Sequence, residues 1–379
     1  MPKTNVATRP IAQHPIPATS VRVLRGGEFH PNANADVTWE GPEYAKLRPI
    51  VFGYAMFQAL YAACELDLFT KLHQNPGMTA DELSRALDLP AHSTRLLLLT
   101  CSSMELVVKS ADRYYNSYVS EKILIPGKAK CAIPFVRSGQ FLQYKGFYHL
   151  LAALKQETNA GLKEYREGHL YDRKSANPEL EVVLYEVMAA IWELSHPGLD
   201  NIVELREVRH LLDVAGGNAV VASLLHDKYP QLRITVFDRP SACELAKKTI
   251  ASKGKEDSIN TAPGDMLETP FPSGPDAIIY SHILEMLTPQ DRQTLIDKAF
   301  KSLPSGGKLF AFDFTCRNDE RGELYGARIS LYFLVNASGS GMAFPPKDYV
   351  GWFEKAGFED VKAYNDLPFE HSLIVGTKP

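Results

Sequence analysis

Long apolar runs are missing from this sequence. None approaches the ~20 residues that a helix needs to cross a bilayer, so no membrane partner is expected. Cysteine is sparse. Cys64, Cys101, Cys131, Cys243 and Cys316 are scattered, odd in number, and no two have C-x-x-C spacing. That argues against a disulfide framework and a cysteine zinc site, so no metal is expected and a reducing cytoplasm fits best. Charge is nearly balanced at a net -4, which disfavours nucleic acid as a partner. The opening MPKTNVATRPIAQHPIPATS lacks the apolar stretch of a secretory signal and has no hydrophobic period. It reads as an arm, drawn here over residues 1–43.

What remains is ordinary globular material, 45% hydrophobic and 23% charged. Its 379 residues exceed one usual core and predict two domains. Phe52, Met56, Phe57, Leu60, Cys64 and Leu68 recur at helical spacing. Thr79-Ala-Asp-Glu82 is a capping box opening a second helix, and Pro90 precedes a third. Arg113-Tyr-Tyr-Asn then reads as a strand of a wing, giving a winged-helix pattern. Such a module often reads DNA. Here Thr79 to Lys122 carries six acids against five bases, and the second helix of the pair shows Leu96-Leu-Leu-Leu with Arg95. A DNA reader needs a basic face, so this helix is built for burial, against a second copy of itself.

Residues 135–200 are rich in aromatics at helical spacing. Most are expected in helix core. Phe141, Tyr144, Tyr148, Met188 and Trp192, with Asn336 further on, are the candidates to line a substrate pocket. From residue 201 short apolar strands alternate with helices: His210-Leu-Leu-Asp, Arg233 to Asp238, Asp276 to Tyr280 and Lys308 to Asp313. This alternation predicts an α/β fold with a doubly wound parallel sheet, closed by a terminal pair of strands near Val361 and Ser372.

The first of these strands ends in Asp213-Val-Ala-Gly-Gly-Asn-Ala, an acid followed by a loop of small residues that opens a helix. Small residues let a ligand approach the backbone at the strand ends. The loop is not G-x-G-x-x-G, which disfavours a dinucleotide. Asp238 ends the next strand 25 residues after Asp213, where an acid can bind both ribose hydroxyls of a nucleoside. Gly264-Asp265-Met266 follows the third strand.

On these residues the chain resembles the plant and bacterial small-molecule O-methyltransferases over residues 50 to 375. Asp213-Val-Ala-Gly-Gly is similar to the family's glycine loop, Asp238-Arg239-Pro to its ribose acid, Gly264-Asp-Met to its adenine segment, and Leu303-Pro-Ser-Gly-Gly-Lys to its late turn. Tyr349-Val-Gly-Trp-Phe-Glu-Lys-Ala-Gly-Phe is similar to its last helix. The resemblance implies a Rossmann-like class I methyltransferase domain (201–379), a mainly helical winged-helix dimerisation domain (44–134) making a swapped homodimer, and a helical linker (135–200) at the substrate pocket. It implies S-adenosyl-L-methionine as cofactor, held by Asp213, Ala215, Gly216, Gly217, Asp238, Arg239, Gly264, Asp265, Met266 and Ser281. Ala215 and Ala219 stand where the family usually has glycine, and each adds a methyl that could weaken cofactor binding.

The catalytic segment departs further. The family has Ile-Leu-His-Asp-Trp, whose histidine deprotonates the substrate hydroxyl. Here Tyr280-Ser-His-Ile-Leu-Glu-Met-Leu puts Glu285 in the histidine position, Ser281 in that of the preceding lysine, and His282 three residues early, almost one helical turn away. Asp313 matches the acid that orients the family's histidine. A free Glu near ~4.3 facing a phenol near ~10 leaves a gap of roughly 6 units, or about 8 kcal/mol, against about 5 for imidazole. Asp313 and a dry pocket would narrow that gap by raising a carboxyl. Otherwise Glu285 binds an amine or a metal, proximity alone suffices, or Glu285 merely starts a solvated helix. The leading expectation is methylation of an aromatic small molecule at oxygen or ring carbon in secondary metabolism. The alternatives are a protein of this fold that cyclises or hydroxylates without methyl transfer, and a winged-helix regulator.

Overall fold

Proline at an N-terminal helix position costs no hydrogen bond, and Pro42 opens the first helix, α1 (Pro42–Val51). The structure, a computed structural model, describes residues 39–165, 178–200 and 202–379. The expected arm therefore falls outside the described residues as far as residue 38. The described residues up to Gly53 belong to a unit of their own, in which Trp39 packs on Tyr44 and Phe52 and the Arg48 guanidinium lies 5.2 Å from the Trp39 ring centre.

The second unit runs from Tyr54 to Pro379. The single stripe expected near its start is broken. After α2 (Gly53–Glu65), Asp67 adopts the left-handed conformation (φ 57°) and restarts the chain as α3 (Leu68–Gln74). β1 (Met78–Thr79) leads into α4 (Ala80–Ala86), capped as expected: the Thr79 hydroxyl accepts from Glu82 N, and Glu82 accepts from Thr79 N at 2.8 Å. Such a cap stabilises the helix by about 1 kcal/mol. α5 (Ala91–Ser103), β2 (Val107–Ser110), β3 (Arg113–Asn116) and α6 (Tyr118–Ile123) complete the winged helix, whose small antiparallel sheet has the order β1-β3-β2. α5 buries Thr94, Leu98 and Cys101 in its own chain. Leu96 and Leu99 face out, 52% and 68% exposed.

α7 (Ile133–Ser138), a π turn at Gly139–Gln143, α8 (Leu150–Gln156) and α9 (Pro178–Ser195) lie between the winged helix and the large sheet in sequence. The remaining elements are α10 (Val203–Glu207), β4 (His210–Val214), α11 (Val220–Lys228), β5 (Arg233–Asp238), α12 (Pro240–Ser252), β6 (Ile259–Pro263), β7 (Ala277–Ser281), α13 (Pro289–Ser302), β8 (Lys308–Phe314), α14 (Leu324–Asn336), α15 (Pro346–Ala356), β9 (Glu359–Leu367) and β10 (His371–Thr377). The sheet order is β6-β5-β4-β7-β8-β10-β9, parallel except for β10, which runs antiparallel to both neighbours.

Strand residues alternate between two cores, one on each face, because both faces are covered by helices. Leu211, Ile234, Ile279, Phe310 and Phe312 fill one; Leu212, Ile278, Tyr280, Leu309 and Ala311 fill the other. The order reverses beside β4, so the carboxyl ends of β4, β5 and β7 open the crevice where ligands bind in such sheets.

Candidate active site

Asp213, near the end of β4, is wholly buried and neither carboxylate oxygen has a partner. Burial first, and then Asp238, push it up to about 7. It lies directly under the loop: a Cβ on Gly216 would stand 2.4 Å from its Oδ2, so only glycine fits there. Ala215 and Ala219 sit at φ 56° and 62°, in the left-handed region that favours glycine, and Gly217 at 60°. The two alanines therefore strain the backbone, at roughly 1 kcal/mol each.

Asp238 bonds the same loop. Its Oδ2 accepts from Gly217 N at 2.8 Å and its Oδ1 from Arg239 N at 2.6 Å. Gly264 packs against Phe237, where a Cβ would meet the ring at 2.5 Å. Asp265 caps the following turn through Leu267 N and Glu268 N, and Lys298 donates to the Met266 and Thr269 carbonyls. The Ser281 hydroxyl, at the end of β7, is buried and unpaired. Unpaired oxygens at Asp213 and Ser281, a loop that tolerates no side chain at Gly216, and a half-buried acid at Asp238 suit a polar nucleoside-bearing cofactor at these strand ends.

The segment after β7 is not the continuous helix assumed for it. His282 takes φ 57°, its N–H donates to Phe312 O, and a single 3-10 turn, Leu284–Met286, follows. The kink folds the imidazole back on the carboxyl, with Nδ1 3.4 Å from Glu285 Oε1. Glu285 does not begin a solvated helix: it is 2% exposed and its Oε2 accepts from Phe314 N at 2.8 Å. Asp313 lies beside it, and burial pushes both carboxyls well above their usual range. Asp313 accepts from Ile283 N, Glu285 N and the Tyr349 hydroxyl. Burial is the first cause of both shifts, and Glu285 adds its charge to the cause at Asp313. Burial lowers His282 to about 3. An uncharged imidazole makes a hydrogen bond with the carboxyl, not an ion pair.

The donor atoms of His282, Glu285 and Asp313 lie within 4.8 Å of one another. Asp313 spends both oxygens on other donors and Glu285 one of its two. One oxygen and one nitrogen are too few for a cation.

Trp192 meets this centre edge-on, 5.3 Å from His282, and stacks on Phe312. Met188 packs against the apolar cluster that holds Phe314 and Phe333. Asn336 is buried at the end of α14, with Gly146 and Gly161 against its amide. Phe141 and Tyr144 instead pack on Tyr61 and Phe57 of α2, and Tyr148 points outward, 83% exposed. Three further residues of the centre carry no signal in the sequence. His371 on β10 is buried 4.9 Å from His282, donates from Nδ1 to Phe369 O, and leaves Nε2 unpaired. Tyr349 holds Asp313. Arg292 donates to the carbonyls of Leu284 and Leu287 and rests against the rings of Phe344 and Trp352, which pins the turn carrying Glu285.

A dinucleotide-free glycine loop, a ribose-type acid and a buried acid–base cluster, all at the ends of one mainly parallel sheet, define a nucleoside-cofactor group-transfer enzyme. Comparison with known proteins gives the class. The sequence profile of the O-methyltransferase domain matches residues 147–359, and that of the O-methyltransferase dimerisation domain matches residues 49–125. The L-tyrosine C(3)-methyltransferase of Streptomyces lavendulae is 30% identical, over 92% of this chain and 95% of its own. The 3-hydroxy-5-methyl-1-naphthoate 3-O-methyltransferase of Streptomyces sahachiroi is 26% identical, over 88% and 94%. The solved S-adenosylmethionine-dependent methyltransferase SibL superposes with a TM-score of 0.75 at 32% identity, covering 88% of this chain and 99% of SibL. The chain belongs to the O-methyltransferase family and is an S-adenosylmethionine-dependent methyltransferase.

Proposed function

We propose that this enzyme methylates a hydroxylated aromatic small molecule at the ring carbon beside the hydroxyl, in secondary metabolism. The supporting observation is Glu285, a buried carboxyl with a raised pKa where the family places histidine. Oxygen methylation needs a base once. Carbon methylation needs a group that takes the hydroxyl proton and gives it back. Ionised Glu285 would accept the hydroxyl proton while the ring carbon takes the methyl that a bound sulfonium would supply, the sulfur keeping the electrons of the broken bond; the ring proton would then leave to water as Glu285 gives its own back to the oxygen. A carboxyl raised toward the phenol range does both with a smaller gap than a free Glu. Asp313 holds the Glu285 backbone, and neutral His282 holds its free oxygen. The S. lavendulae relative acts on a ring carbon of tyrosine and the S. sahachiroi relative on a naphthoate hydroxyl. Both act on hydroxylated aromatic acids.

S-adenosyl-L-methionine supplies an electrophilic sulfonium methyl. We assign its ribose to Asp238 beside Arg239, its adenine to Gly264, Asp265 and Met266, and its remaining polar groups to Asp213, Ser281 and the Ala215-Gly216-Gly217 loop. Trp192, Met188 and Asn336 are proposed for the acceptor pocket. The working unit is a homodimer through the winged helix, whose Tyr54, Leu96 and Leu99 are exposed. The five unpaired cysteines fit the cytoplasm. Product analysis tests the reaction. A phenol incubated with methyl-labelled cofactor should yield an aryl methyl signal by carbon–proton correlation, with release of S-adenosylhomocysteine. A methoxy signal would assign the methyl to oxygen. Turnover of a phenol without S-adenosylhomocysteine release would overturn methyl transfer.

A further inference from the structure

α14 presents Tyr325, Arg328, Ile329, Tyr332, Phe333 and Asn336 at intervals of three and four, which puts them on one face. Arg328 is out of keeping with that face. Its guanidinium lies 4.4 Å from the centre of the Tyr325 ring, and one N–H donates to Gln143 Oε1 at 2.5 Å. Gln143 is held by its own amide, which donates to Ser138 Oγ. The Arg328 Nε is buried with no partner, and among the described residues no carboxylate lies within 4.0 Å of the side chain. A half-buried guanidinium without an acid is rare, because burial of a charge is offset only by pairing.

Tyr325 connects this cation to the reacting centre. Its ring lies 4.9 Å from Phe314, which in turn lies 5.1 Å from His282. The flat fork of arginine matches a carboxylate through two parallel hydrogen bonds, and a neighbouring aromatic ring keeps the fork in plane. We propose that Arg328 is the carboxylate-binding residue of the acceptor pocket, so that the substrate is an aromatic hydroxy acid or amino acid and not a neutral phenol. This rests on the reading of the enzyme as an aromatic methyltransferase.

Pairs of phenols that differ only at the carboxyl test it: L-tyrosine against L-tyrosinamide, and 3-hydroxy-1-naphthoate against its amide. Each is titrated calorimetrically into the full-length protein saturated with S-adenosylhomocysteine. At least one acid should bind wild type tenfold or more tighter than its amide, as a charge-assisted pair requires. Arg328→Met should lose that preference and Arg328→Lys should keep part of it, both with unchanged affinity for S-adenosylhomocysteine. Equal binding of acid and amide, binding of neither acid, or an undiminished preference in Arg328→Met would overturn the proposal. Failure of aromatic methyl transfer shows separately, as acid binding without a methylated product.

Discussion

Asp213→Asn should change the pH dependence of stability in a calculable way. The wild-type carboxyl titrates at about 7 in the folded protein, against an ordinary value near ~3.8. Its folded pKa is raised, so the folded state binds the proton more tightly than the unfolded chain. Stability is then fully present below ~4 and is lost as pH rises toward 7. Roughly three units at ~1.36 kcal/mol each give a total loss of about 4 kcal/mol, of which about 3 falls between pH 5 and pH 8. The group is wholly buried, so solvent screening does not reduce this. An amide has nothing to ionise. Thermal unfolding of cofactor-free wild type and Asp213→Asn at the two pH values isolates the effect, because the other titrating groups are common to both. The Tm of the variant relative to wild type should rise by on the order of 5 °C from pH 5 to pH 8. A difference that stays constant or falls would refute an unpaired, reluctant carboxylate at this position.

Asp238→Ala removes the proposed ribose acceptor and releases Gly217 N, so calorimetry should show S-adenosylmethionine binding at least about tenfold weaker. Ala215→Gly relieves a left-handed alanine and should raise stability by up to about 1 kcal/mol, read as a higher Tm. Light scattering should report a dimer at micromolar concentration, and Leu99→Glu should shift it toward monomer, since a charge there replaces an outward apolar contact.

The cofactor end was legible in the sequence because its signals are local. An acid at a strand end, small residues after it and a second acid one crossover later sit on consecutive elements, and strand alternation locates them. The reacting centre was legible only in part. Glu285 stood out against the family pattern, but its burial depends on Phe314 and Asp313, nearly thirty residues on, and on Arg292 of the next helix. The left-handed turn at His282 has no sequence signal, since histidine there is neither glycine nor asparagine. His371 sits in an unremarkable terminal strand, and only the antiparallel pairing of β10 with β8 brings it to His282. Phe141 and Tyr144 have the helical spacing of pocket residues. Spacing alone does not say which neighbouring helix an aromatic face meets.

The proposed task of the buried Glu285 carboxyl is to accept the substrate proton and return it. Steady-state turnover of wild type, Glu285→Gln and His282→Ala on one accepted phenol tests it, with cofactor affinity measured alongside. Glu285→Gln should fall by ~10² or more at unchanged cofactor binding, and wild-type turnover should rise with pH above the ordinary carboxylate range, because burial raises Glu285. Full activity in Glu285→Gln with a dead His282→Ala would rule out the carboxyl as the base and move the proton transfer to the imidazole.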